Sequence, residues 1–163
     1  MDAKALLVNQ LASGQWLVGA CVEGFSDSDC VAPLLDGGQT AIWILGHLAT
    51  SEDWLVSKAT GGKLEIAGEL HEPFKAGQAP STELGDYPPM SEVVALFNAQ
   101  RERTVAAMQA SDPATWDNDA PEGVPPVCKT IGGVWGLMAN HTYWHIGQLT
   151  SIRRMLNKPS LMG

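Results

Sequence analysis

All ten prolines of this 163-residue chain fall outside four stretches whose apolar residues recur at helical spacing. Proline removes a backbone donor and clashes with the preceding turn, so it confines helices to the segments it avoids. The first segment runs from about Asp2 to Gly24, with Asp2 as N-cap and Leu7, Leu11, Leu17 and Cys21 among its apolar positions. The second starts near Gln39 or Thr40 and ends at about Thr60, where Gly61-Gly62 stops it. The third opens at Ser91, with Glu92 in its first turn, and continues through Val94, Phe97, Thr104 and Met108 to about Ala110. The fourth runs from near Thr130 to about Asn157, before Pro159.

Between them, residues 26–38 read as a loop. Residues 61–90 carry Pro73, Pro80, Pro88 and Pro89, and residues 111–129 carry Pro113, Pro121, Pro125 and Pro126. A connection as long as 61–90 is unusual in a small domain and often covers a binding site. There is no internal repeat and no alternating strand of useful length. The expectation is an all-α fold: one domain spanning residues 1–163, a four-helix bundle with long connections, not necessarily up-down-up-down.

The hydrophobic content of 45% and charged content of 17% suit a chain that buries a core. A net charge of −8 and a pI near 4.8 disfavour nucleic acid as partner, because phosphate binding needs clustered Lys and Arg. The basic pair Arg153-Arg154 lies near a helix C-terminus, where it complements the helix dipole. No run reads as a membrane span and the N-terminus has no export-type cleavage region, so a cytoplasmic protein is expected. Cys21, Cys30 and Cys128 lack C-x-x-C spacing and read as free thiols, Cys128 being the weak candidate for a reactive one.

Chemistry concentrates in histidine. His141 and His145 stand four residues apart, which puts both on one helix face, on a stripe with Ile131, Val134, Trp135, Met138, Leu149, Ile152 and Leu156. His47 shares a second stripe with Trp43, Ile44, Ser51 and Trp54. A histidine alone on such a face is usually a hydrogen-bonded core residue. A one-turn pair needs two buried partners, and a shared metal satisfies both. His47, His141 and His145 are therefore the candidate metal ligands, with positions left for water or substrate.

The H-E-x-x-H motif, Glu-x-x-His and C-x-x-C-H are all absent, which sets aside the metalloprotease, di-iron and covalent haem readings. A nitrogen-only donor set suits a divalent transition metal, zinc or nickel first, with iron and copper as alternatives. His71, in the second connection, is expected to face solvent, or to reach the mouth of the site if that loop folds back. Gln148 is placed to orient a ligand or bound water. Tyr143 and Trp144 point off the stripe, towards a neighbour or partner subunit. Gly46, Gly136 and Gly147 beside the histidines suggest close helix approach or room for a ligand.

The segment Asn140-His141-Thr142-Tyr143-Trp144-His145-Ile146-Gly147-Gln148-Leu149, followed by Ile152-Arg153-Arg154, resembles the C-terminal motif of the DinB/YfiT-like superfamily. Ala41-Ile42-Trp43-Ile44-Leu45-Gly46-His47-Leu48 resembles that family's second-helix motif. The resemblance implies a four-helix bundle of unusual connectivity, often a homodimer, holding a divalent metal on His47, His141 and His145. It also implies a small-molecule substrate. Its branches include transferases and isomerases using low-molecular-weight thiols, and metal-dependent hydrolases, and neither motif encodes which. Two rivals remain open: a non-catalytic metal- or small-molecule-binding stress-response module, and a bundle whose histidines are core hydrogen-bonders.

Overall fold

The computed structural model describes residues 2–161. Four long helices form: α1 (Ala3–Val22), α3 (Ala41–Thr60), α4 (Met90–Ala110) and α5 (Ile131–Met155), with a short α2 (Asp27–Cys30) between the first two. The architecture is the expected all-α four-helix bundle. Each start but one carries a side-chain cap. Asp2 accepts from Ala5 N at 2.7 Å, Thr40 from Trp43 N at 3.4 Å and Thr130 from Gly133 N at 3.1 Å. α4 opens directly after Pro89, one residue before the expected start. Gly61 ends α3 in the left-handed region at φ 70°, which costs glycine little.

Residues 26–38 are not wholly loop. Ser26 and Asp29 make a reciprocal capping box that nucleates the single turn of α2. The second connection contains 3-10 turns at Gly68–Leu70, Glu72–Phe74 and Leu84–Asp86.

The helices pack around a ring in the order α1, α5, α3, α4. Chain-consecutive α1 and α3 therefore stand across a diagonal, as do α4 and α5, so the first and third connections cross the bundle ends. The order departs from an up-down-up-down bundle and brings α3 and α5 together as ring neighbours. One core cluster gathers Ile42, Ile44, Leu45 and Leu48 of α3 with Phe97, Leu149 and Ile152; a second gathers Leu11, Met108, Val134, Trp135 and Met138.

By length and composition alone, α1 could cross a bilayer, with a mean hydropathy of 1.3 that the expectation of no such run overlooked. In the bundle, Leu11, Gly14, Val18 and Cys21 form its buried stripe. Two of the six tryptophans lie outside any core: Trp16 is 67% exposed and Trp144 72%. Tyr143, beside Trp144, donates its hydroxyl to the Gln10 carbonyl on α1 at 3.2 Å.

Candidate metal centre

α3 and α5 meet where their inward stripes carry imidazoles. One ring nitrogen from each of His47, His141 and His145 lies within 4.8 Å of the others. His141 and His145, one turn apart on α5, bring their Nε2 atoms to 2.9 Å. The His47 ring stands edge-on to both, with centroids 5.1 and 5.2 Å away.

The outer nitrogens are anchored. His47 Nδ1 donates to the Phe74 carbonyl at 3.0 Å, and His145 Nδ1 donates to Gln148 Oε1 at 2.6 Å. Gln148 Nε2 in turn donates to Gln39 Oε1 at 3.3 Å, tying the site to the chain just before α3. With Nδ1 protonated in both rings, the Nε2 lone pairs face inward. This is how outer partners usually fix the tautomer of a metal-ligating histidine. Gln148, proposed from sequence as an orienting residue, occupies that position. Trp43 stacks flat on His47, centroids 4.5 Å apart and planes 8° from parallel, which fixes the ring's orientation.

Burial pushes all three imidazoles below their ordinary pKa. His141 falls to about 3, through burial first and then its histidine neighbours, and His145 to about 4, through burial and then His47. His47 is lowered by burial, against the hydrogen bond to Phe74. All three are thus neutral at physiological pH, as a ligand set must be.

The donors fit a divalent ion. Nitrogens sharing one tetrahedral zinc lie about 3.4 Å apart, so the α5 pair would open slightly and the widest gap would close by at most about 1.4 Å. Rotation of imidazole side chains supplies such movements.

The second connection folds back over α3 and builds the wall of the site. Phe74 lies against Gly46 so closely that a Cβ at position 46 would stand 2.3 Å from the ring. Any larger residue there would displace Phe74 and with it the carbonyl that orients His47. The close approach foreseen at Gly46 is therefore real, but it comes from the loop rather than a helix. Gly136 and Gly147 have open space where a Cβ would stand.

Asp53, on α3, pins the same connection by accepting from Glu65 N and Ile66 N, each at 3.0 Å. Of the two placements expected for His71, facing solvent or reaching the mouth of the site, the structure shows the second. Its side chain is 23% exposed, lies beside Asp53 and lines a cavity of about 440 Å³ with His47, Ser51, Trp54 and Phe74. Cys128 is buried and its thiol raised by that burial, which removes it as a reactive nucleophile.

Behind the histidines lies a charged network that the sequence reading missed. Fully buried Arg101 of α4 pairs with Glu52 of α3 through both Nε, at 3.2 Å, and Nη2. It also donates to the Leu11 carbonyl of α1 at 2.7 Å and to Thr142 Oγ1 of α5 at 2.8 Å. Thr104 adds a hydrogen bond to Glu52 at 3.0 Å. Glu52 adjoins Ser51 in the cavity wall, and Thr142 adjoins His141. One signal was available: Arg101 falls on the α4 stripe with Phe97, Thr104 and Met108, where a charge must find a partner.

Fold and site together define a four-helix-bundle protein with a three-histidine group able to hold a metal ion. Residues 14–149 match the DinB superfamily, and the chain belongs to that family. Among solved structures, it is similar to YfiT from Bacillus subtilis, described as "a probable metal-dependent hydrolase with an unusual four-helix bundle topology". The two share 18% identity at a TM-score of 0.68, covering 98% of this chain and 91% of that one. No curated protein matches the chain.

Proposed function

We propose that the protein is a metal-dependent hydrolase of small-molecule esters or amides, with His47, His141 and His145 as ligands of a divalent transition ion. The observation that carries this reading is the convergence of three neutral imidazoles from α3 and α5 within 4.8 Å, two with their outer nitrogens anchored. The description of YfiT as a probable metal-dependent hydrolase supports it. A bound ion would supply Lewis acidity, lowering the pKa of a nucleophile at neutral pH.

The chain's own residues do the rest. Phe74 and Gln148 hold two rings in the ligating tautomer. Trp54 and Phe74 give the adjoining cavity apolar walls, and Ser51 Oγ stands 3.4 Å from His47 Nε2 as a polar group facing a substrate. The same centre would also activate a low-molecular-weight thiol, so thiol conjugation belongs in the test as the competing outcome.

Zinc- or nickel-loaded protein is expected to hydrolyse members of a panel of activated esters and amides. Chelation should abolish that rate, metal restore it, and His145→Ala reduce it at least about 10²-fold. Turnover unaffected by chelation would refute the proposal. Turnover only with added thiol would assign the site to the transferase reading instead.

A further inference from the structure

His71 is the imidazole of this cavity that the metal reading leaves unused. Its Nε2 has no access to solvent and forms no hydrogen bond of good geometry. The polar atom it faces is Asp53 Oδ2 at 3.5 Å. Asp53 is itself 2% exposed and held rigidly by the two backbone N–H groups of Glu65 and Ile66. A buried carboxylate beside Nε2 favours the ring proton on that nitrogen. Nδ1 then keeps its lone pair, on a ring that lines the cavity that His47 shares. An imidazole oriented by a buried aspartate, with the lone pair on its far nitrogen, is the arrangement by which hydrolytic sites position a general base.

We infer that His71, oriented by Asp53, is the general base and acid of this site, an inference that rests on the hydrolase reading above. In the forward step, Nδ1 takes the proton of the attacking water as its oxygen bonds to the substrate carbonyl carbon. The positive charge formed on the ring is met by the Asp53 carboxylate. The same proton then passes to the leaving alkoxide or amine as the ester C–O or amide C–N bond breaks. Acid and alcohol, or acid and amine, leave, and the imidazole returns neutral. Glu72 and Lys75, paired at 3.6 Å on the exposed rim, face the same cavity but are too solvated to replace it.

The test compares zinc-loaded wild type and His71→Gln on the ester of that panel cleaved fastest by wild type. The variant is expected to keep its bound zinc and lose about 10²-fold or more in rate. Added imidazole should recover part of the loss, which a merely structural residue would not allow. Independently of turnover, nitrogen-15 spectra of the imidazoles should show His71 protonated at Nε2 and bare at Nδ1, with that preference weakened by Asp53→Asn. An undiminished rate in His71→Gln, or a bare Nε2 in wild type, overturns this inference and leaves the hydrolase reading standing. No metal-dependent hydrolysis by wild type overturns both.

Discussion

Replacing Arg101 by Ala is expected to cost about 3–5 kcal/mol of folding stability, the range for a buried ion pair broken from one side. The guanidinium is fully buried and holds together all four long helices: Glu52 of α3, the Leu11 carbonyl of α1, Thr142 of α5 and its own α4. Truncation leaves Glu52, whose carboxyl burial already raises above its usual range against the pull of Arg101, without the charge that keeps it tolerable. It also opens a cavity and strips the Leu11 carbonyl of its donor. Chemical denaturation of metal-free protein measures the loss. A double variant, Glu52→Leu with Arg101→Met, should recover much of it, because it removes both charges and fills the volume. A loss below 1 kcal/mol for Arg101→Ala would mean that the network adds little to the fold.

Acid should weaken the metal-free protein steeply, and the histidine cluster should account for much of the effect. His141 and His145 titrate near 3 and 4 when folded but near 6.5 when unfolded. Below pH 6.5 the unfolded chain therefore takes up protons that the folded chain refuses, and stability falls as pH falls until the folded values are reached. Each group contributes up to about 1.4 kcal/mol per pH unit in that window, so the pair should cost about 2–4 kcal/mol between pH 7.5 and pH 5. Asp29, held at about 2 by Lys158, loses its pairing only at lower pH. Replacing both histidines by Leu removes their part of the slope and leaves that of the carboxylates. Parallel stability curves for the wild type and this variant between pH 5 and 7.5 would contradict the assignment.

The four long helices were legible because their apolar periodicity, caps and flanking prolines agree, each boundary falling within about two residues. The ring order was not legible, since nothing local states that α1 and α3 stand across a diagonal. The α2 turn was hidden by its four-residue length, although the Ser26-to-Asp29 capping box could have announced it. Within the site, the histidine face of α5 was readable because four-residue spacing on a helix fixes direction. The place of His71 was left open between solvent and the mouth of the site, because it sits in a proline-rich connection whose path is set by contacts distant in sequence. Asp53 binds the backbone of residues 65 and 66, and Phe74 fills the space left at Gly46. Glu52 and Arg101 are 49 residues apart, and only the packing of α3 on α4 makes them partners.

The most direct test is the metal content of untagged protein incubated with zinc or nickel and then desalted, measured for the wild type and for single alanine variants at 47, 141 and 145. A single tightly held ion per wild-type chain, lost from each folded variant, is the predicted result. Wild-type protein that retains no ion, or variants that retain as much as wild type, would show that these imidazoles serve only to satisfy one another in the core.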